Sequence, residues 1–199
     1  MFRDHLRKIT QRKNLTADEM ADMIGEVFTG TVPDALIGAF MAALATKGET
    51  FEELAGAARA MRRKAARIQV PAPAVVDTCG TGGDGTGTFN ISTTTAFVVA
   101  GCGVTVAKHG NRSVSSRCGS ADLIEALGVN LNAPPDLVEE AVAEIGIGFL
   151  FAPLYHGAMK HAAAARKELG IRSIFNMIGP LTNPAGADCQ LLGVYAPQL

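Results

Sequence analysis

The sequence predicts an α/β protein, with an N-terminal helical domain followed by a domain built on a parallel sheet. Three observations predict it. Residues 1–69 carry helix-start signals and helical apolar spacing but no strand-like run. Beyond Pro71 and Pro73, short apolar runs alternate with helical stretches, the pattern of a parallel sheet with crossover helices. Glycine is concentrated around the first two of those runs, with eight of the 22 glycines falling between Gly80 and Gly110.

In chain order, Thr16 with Glu19 and Thr50 with Glu53 fit the S/T-x-x-E capping box, in which side chains satisfy the free N–H groups at a helix start. Between them Pro33 opens a helix running to Lys47-Gly48, along which Leu36, Ile37, Phe40, Met41 and Leu44 recur at helical spacing. The next helix carries Arg59, Arg62, Arg63, Lys64 and Arg67. That run reads as a solvated helix C-terminus favoured by the macrodipole, with a phosphate or nucleic-acid patch as the alternative. Val75–Cys79 then reads as a buried strand, followed by a helix from about Ser92 to Ala100 and a second strand over Val104–Ala107. Helices from about Ser120 to Leu127 and around Asp136–Ile145 precede an apolar strand, Ile147–Phe151. A helix near His156–Leu169, a Pro/Gly/Asn-rich loop at Gly179–Pro184 and a strand at Leu191–Tyr195 complete the series. A parallel strand leads into a crossover helix, so a chain ending four residues after one looks interrupted.

Composition narrows the function classes. With 199 residues, 48% of them hydrophobic, the chain can bury about 70% of its unfolded surface and needs no disulfide or metal for a core. A net charge of −1 argues against a nucleic-acid-coating protein and against disorder. Cys79, Cys102, Cys118 and Cys189 include no C-x-x-C pair, so a zinc ribbon or redox dithiol is not expected. The N-terminus lacks an apolar secretory core, and the most apolar run, Ala96–Ala107, is shorter than the roughly 20 residues that span a bilayer. The expectation is a reduced, cytoplasmic protein with no membrane partner.

Two loops carry the chemistry. Gly80-Thr81-Gly82-Gly83-Asp84-Gly85-Thr86-Gly87-Thr88 satisfies G-x-G-x-x-G, but no acidic residue follows at the distance a ribose-binding fingerprint needs, and no Gly-Lys-Ser/Thr completes a P-loop. Glycine does let a backbone approach a ligand and turn its N–H groups toward phosphate. Asn90-Ile91-Ser92-Thr93 then opens a helix, whose N-terminus favours anions. The second loop, Lys108 to Arg117, holds three cations, an amide and three hydroxyls, a donor set suited to phosphate or diphosphate. Loops after two parallel strands converge at the strands' carboxyl ends. No Ser-His-Asp or paired-carboxylate arrangement is evident, and no acid or base is assigned. His156 and His161 are five apart, off the spacing of a helical zinc pair.

Gly-Thr-Gly-Gly-Asp at 80–84, Phe-Asn-Ile-Ser-Thr at 89–93, Lys-His-Gly-Asn-Arg-Ser-Val-Ser-Ser at 108–116, Gly-Ser-Ala-Asp at 119–122 and Gly-Pro-Leu-Thr-Asn-Pro at 179–184 resemble, in order, the anthranilate phosphoribosyltransferase family. The resemblance implies a nucleoside phosphorylase/phosphoribosyltransferase-like fold. Residues 1–69 would form the helical domain, with helices from about 155–180 returning to it, and residues 70–199 the α/β domain. It implies transfer of phosphoribosyl from 5-phosphoribosyl 1-diphosphate (PRPP) to the amine of anthranilate, a step of tryptophan biosynthesis, with Mg²⁺ as cofactor. The PRPP site would comprise Gly80, Gly83, Asp84, Thr88, Asn90, Ile91, Ser92, Thr93, Lys108, His109, Gly110, Asn111, Arg112, Ser113, Val114, Ser115, Ser116 and Ser120. Ser92 would ligate Mg²⁺, and Gly80, Asn111 and Arg166 would contact anthranilate. Read without the resemblance, Arg166 is a surface arginine on an Ala-rich helix. A homodimer through the helical domain is implied, and nucleic acid is not a partner. The family's chains run to roughly 340 residues, so this one would be the N-terminal 60% or so, with an incomplete sheet. It would lack the Asp-Glu pair that supplies principal Mg²⁺ contacts and would not be fully active. Gly157 stands where the family has Pro. The alternatives are a pyrimidine nucleoside phosphorylase-like enzyme, whose loop motifs differ, and a degenerate nucleic-acid-binding relative.

Overall fold

A computed structural model describes residues 1–82, 87–113, 118–194 and 196. The chain forms two compact units, Met1–Ala65 with His156–Thr182, and Ala66–Tyr155 with Asn183–Leu199.

The first unit is helical. Helices α1 (Phe2–Thr10), α2 (Ala17–Val27), α3 (Asp34–Lys47) and α4 (Phe51–Lys64) are joined by α9 (Lys160–Leu169) and α10 (Ile174–Ile178) from later in the chain. Both expected capping boxes form. The Thr16 hydroxyl accepts the Glu19 N–H at 3.2 Å while the Glu19 carboxylate accepts the Thr16 N–H at 3.1 Å. Thr50 and Glu53 exchange the same pair at 3.3 and 2.9 Å. These helices bury one apolar cluster that includes Ile24, Ile37, Phe40, Met41 and Leu44, with Ala162, Ala165, Ile174 and Phe175 from α9 and α10. The basic run at the end of α4 is used within this unit, since Arg59 pairs with Asp18 at 2.6 Å and the Arg62 guanidinium donates to the Leu181 carbonyl at 2.6 Å.

The second unit is the expected parallel α/β fold. Its strands are β1 (Val75–Gly80), β2 (Thr105–Gly110), β3 (Ile147–Phe151) and β4 (Cys189–Gly193), all parallel, in the order β3-β2-β1-β4. Helix α5 (Ile91–Gly101) connects β1 to β2, and α6 (Ser120–Ala126) and α7 (Pro135–Ile145) connect β2 to β3. Gly146 closes α7 in the left-handed conformation glycine favours, and β3 begins at the next residue. The chain steps outward from β1 to β3 and returns on the other side of β1 with β4. Open α/β sheets bind ligands at the carboxyl ends of strands beside such a reversal, here β1 and β4.

Three elements differ from the sequence reading. The second strand runs to Gly110, so Lys108, His109 and Gly110 are strand residues, paired with Phe149, Leu150 and Phe151. Their polar character hid a buried position in the sheet. The helix expected over His156–Leu169 starts instead as a 3-10 turn at Gly157–Met159 before α9, and a short helix α8 (Ala152–Tyr155) precedes it, because His156 sits outside helical geometry. The last strand lies over Cys189–Gly193, earlier than expected, in register with Val76–Gly80.

Candidate functional site

The site is built outward from a buried lysine. Lys108 on β2 is 2% exposed. Its ammonium donates to the Thr78 carbonyl on β1 and, at 3.4 Å, to the Ser92 hydroxyl in the first turn of α5. The Thr78 hydroxyl donates to the Ser92 carbonyl at 2.7 Å, so the start of α5 is pinned to the end of β1. Asp77, wholly buried, accepts the His109 backbone N–H at 3.1 Å. Burial pushes the Lys108 ammonium below its ordinary range, and the Asp77 charge draws it partly back. Three N–H donors and two acceptors among the described residues leave the ammonium able to take a further, anionic acceptor. The neighbouring Cys79 thiol is pushed up to about 12 by burial and by Asp77, which excludes it as a nucleophile near neutral pH.

The N-terminus of α5 is open in the same sense. Asn90 precedes it without capping it, because the Asn90 amide donates to the carbonyls of Cys118 and Gly119, each at 3.2 Å. That contact joins the end of the first loop to the end of the second and leaves first-turn N–H groups free of a side-chain cap. Thr93 is wholly buried, and its hydroxyl has no hydrogen-bond partner among the described residues. Gly82 and Gly87 hold φ of +64° each, a conformation that favours glycine and explains part of the loop's composition.

In the second loop, the Asn111 carbonyl accepts the Ser120 hydroxyl and the Ala121 N–H, each at 3.2 Å. Arg112 is exposed, and its guanidinium is held by Asp122 at 3.0 Å and by Glu125 through two bonds of 2.8 Å. Asp122 also accepts the N–H groups of Gly119 at 2.7 Å and Ser113 at 3.1 Å. Those bonds, then Arg112, hold its carboxyl below the usual carboxylate range.

The structure thus brings together Ser92 with Lys108, Asn90 with Gly119, and Asn111 with Ser120. Gly80 ends β1, and the next amide, of Thr81, donates to the Gly193 carbonyl at 3.0 Å. Thr88 is exposed and Ile91 is 55% exposed. His109 is buried, Gly110 closes β2, and Ser113 faces Asp122. Gly83, Asp84, Val114, Ser115 and Ser116 lie outside the described residues. Arg166 belongs to the helical unit, on α9. It is half-buried, its guanidinium lies 5.5 Å from the Phe175 ring centre, and it pairs with no carboxylate among the described residues. Burial draws its pKa down. Sequence reasoning missed Asp77, Thr78, Asp122 and Glu125. Polar residues inside the apolar run Val75–Cys79 were one available signal, and an acidic residue three positions after Gly119 was another.

Comparison with known proteins supplies the family. Residues 3–65 match the glycosyl transferase family helical bundle domain, and residues 72–199 match the glycosyl transferase family a/b domain. The anthranilate phosphoribosyltransferase of Syntrophobacter fumaroxidans is 74% identical over all 199 residues, which span 59% of its length. The crystal structure of anthranilate phosphoribosyltransferase from Thermus thermophilus superposes on 97% of this chain with a TM-score of 0.91 at 49% identity. That from Saccharomyces cerevisiae in complex with PRPP and Mg superposes on 99% with a TM-score of 0.90 at 29% identity. The chain spans 59% of each of those structures. It belongs to the glycosyl transferase family, with the helical bundle domain ahead of the a/b domain.

Proposed function

We propose that this chain provides the PRPP-binding core of an anthranilate phosphoribosyltransferase. The amine nitrogen of anthranilate attacks C1 of the PRPP ribose. The C1–O bond to diphosphate breaks, diphosphate leaves with the electron pair, and the surplus amine proton passes to solvent. The single observation that carries this reading is the buried Lys108 ammonium, under-supplied with acceptors and set against the uncapped start of α5. The names of the relatives, and the PRPP-bound yeast structure, support the same chemistry.

The residues divide the work. Lys108, Ser92 and the N–H groups at the start of α5 would take phosphate oxygens, stabilising charge that grows on the leaving diphosphate. Gly80, Gly83, Asp84 and Thr88 of the first loop, with Asn111 and Ser120 of the second, would complete that site. Arg166 would clamp the anthranilate carboxylate with its planar fork, consistent with its lack of a carboxylate partner among the described residues. An aryl amine is neutral at pH 7, so orientation against C1 replaces a strong general base. For Mg²⁺, the described residues offer the Ser92 hydroxyl beside an ammonium and no group of three or more His, Cys, Asp or Glu. That donor set fits an ion carried largely on substrate phosphates with one protein oxygen added. When bound, Mg²⁺ neutralises charge on the diphosphate. Among the described residues, no helix is long and apolar enough to cross a membrane. A homodimer through the helical unit belongs to the same reading and is checked by sedimentation.

The test is calorimetric titration of the chain with PRPP and Mg²⁺, together with a product assay. The expected result is saturable PRPP binding, with anthranilate-dependent diphosphate release below that of a full-length relative. Absence of PRPP binding, or release of thymine from thymidine and phosphate, overturns the reading.

A further inference from the structure

Arg112 was expected to reach the ligand, yet its guanidinium is engaged elsewhere. One nitrogen donates to Asp122 at 3.0 Å, and two nitrogens fork onto the Glu125 carboxylate at 2.8 Å each. Its carbon lies 5.9 Å from the Phe151 ring centre at the end of β3. The three side chains together carry one net negative charge, so an approaching phosphate meets a cation already answered by two anions.

Asp122 is the centre of this cluster. One carboxylate oxygen holds Arg112, and the other accepts the backbone N–H groups of Ser113 and Gly119. One carboxylate therefore joins Ser113 to Gly119. The approach is close, because a Cβ at Gly119 would collide with the Ser113 amide nitrogen, and one at Gly110 would collide with the Ser120 hydroxyl. Asn111 is fixed from both sides. Its side-chain oxygen accepts the Arg112 N–H at 2.8 Å, and its carbonyl accepts the Ser120 hydroxyl and the Ala121 N–H. Asn90 extends the arrangement to the start of α5 through the Cys118 and Gly119 carbonyls.

We propose that Arg112 and Asp122 are positioning residues for the PRPP site. Their clasp ties Ser113 to Gly119 and sets Asn111 and Ser120 in place, and Arg112 works through that clasp instead of contacting phosphate. The inference rests on the PRPP reading above and deepens it.

A direct contact and a clasp predict opposite signs. If Arg112 bound phosphate, Asp122→Asn or Glu125→Gln would free its charge and tighten PRPP binding. As a clasp, Asp122→Asn weakens PRPP binding by about tenfold, and Glu125→Gln also weakens it, by less. Arg112→Lys binds as weakly as Arg112→Ala, because an ammonium cannot fork across Glu125 while holding Asp122. The experiment is PRPP titration of the chain and these four variants with Mg²⁺, with thermal unfolding and amide exchange at Ser113 and Gly119 measured alongside. The proposal expects weakened binding and lost amide protection with little change in unfolding midpoint. Tighter binding in Asp122→Asn or Glu125→Gln overturns it, as does wild-type affinity in Arg112→Lys. A lower midpoint with unchanged affinity makes the cluster structural only and also overturns it. A wild-type chain that binds no PRPP removes the functional reading itself, which is a distinct result.

Discussion

Lys47 and Lys108 are both buried lysines, and they are held in opposite ways. The Lys47 side chain is 4% exposed and its ammonium has three acceptors, Glu53 at 2.9 Å, Asn14 at 3.0 Å and the Gly48 carbonyl at 2.6 Å. Glu53 is itself complete, since it also accepts the N–H groups of Leu15 and Thr50, each at 2.9 Å. Every donor there meets an acceptor, and one of them is a carboxylate. Among the described residues, Lys108 has a carbonyl and a distant hydroxyl as acceptors, with no carboxylate in contact. Its burial opposes its charge, as its lowered pKa records. A buried ion with a full set of partners holds structure together. A buried ion short of partners costs stability and persists where something else completes it. The comparison separates a fully partnered charge in the helical unit from a buried charge in the α/β unit that, on the PRPP reading, a ligand completes.

The largest way to break the comparison is at Glu53. Glu53→Ala leaves the Lys47 ammonium buried without its carboxylate and removes half a capping box, at a cost of about 3–5 kcal/mol of stability. Chemical denaturation should show that loss, while the folded fraction keeps wild-type PRPP affinity. A variant as stable as wild type would remove the structural side of the contrast.

A smaller effect sharpens it from the α/β side. The Asp122 carboxyl is held low by the amides of Gly119 and Ser113 and by Arg112. The unfolded state therefore binds a proton more readily than the folded one, and Asp122 contributes its full share at neutral pH. That share drains as pH falls from the ordinary carboxylate range through its lowered value. Amide exchange should show Gly119 and Ser113 protected at neutral pH and losing protection in strong acid. Asp122 is near the surface, so global stability should move little. Equal protection of those amides at all pH values would contradict the assignment.

The parallel fold was legible because its signals are local and periodic. Val75–Cys79 and Ile147–Phe151 are apolar runs between helical stretches, and both S/T-x-x-E boxes formed where their spacing put them. The loops were legible through composition and resemblance. The status of individual cations was not, because it depends on partners distant in the chain. Lys108 read as a loop residue and is a buried strand residue facing Thr78, 30 positions away. Arg112 was expected at the PRPP site, and its pairing with carboxylates 10 and 13 positions on was not visible in that expectation. Arg166 read as a surface charge on its residues alone, and its half-buried place over Phe175 comes from α10. Burial and pairing are tertiary properties that no short motif encodes.

The most direct test of the central claim replaces Lys108 with methionine, which keeps apolar bulk and removes the charge. PRPP affinity with Mg²⁺ and the unfolding midpoint are measured on the same preparation. If Lys108 is held incomplete for an anionic ligand, Lys108→Met binds PRPP about a hundredfold more weakly, and its midpoint equals or exceeds that of the wild type. Retained affinity, or a midpoint that falls as it does in Glu53→Ala, would contradict the account.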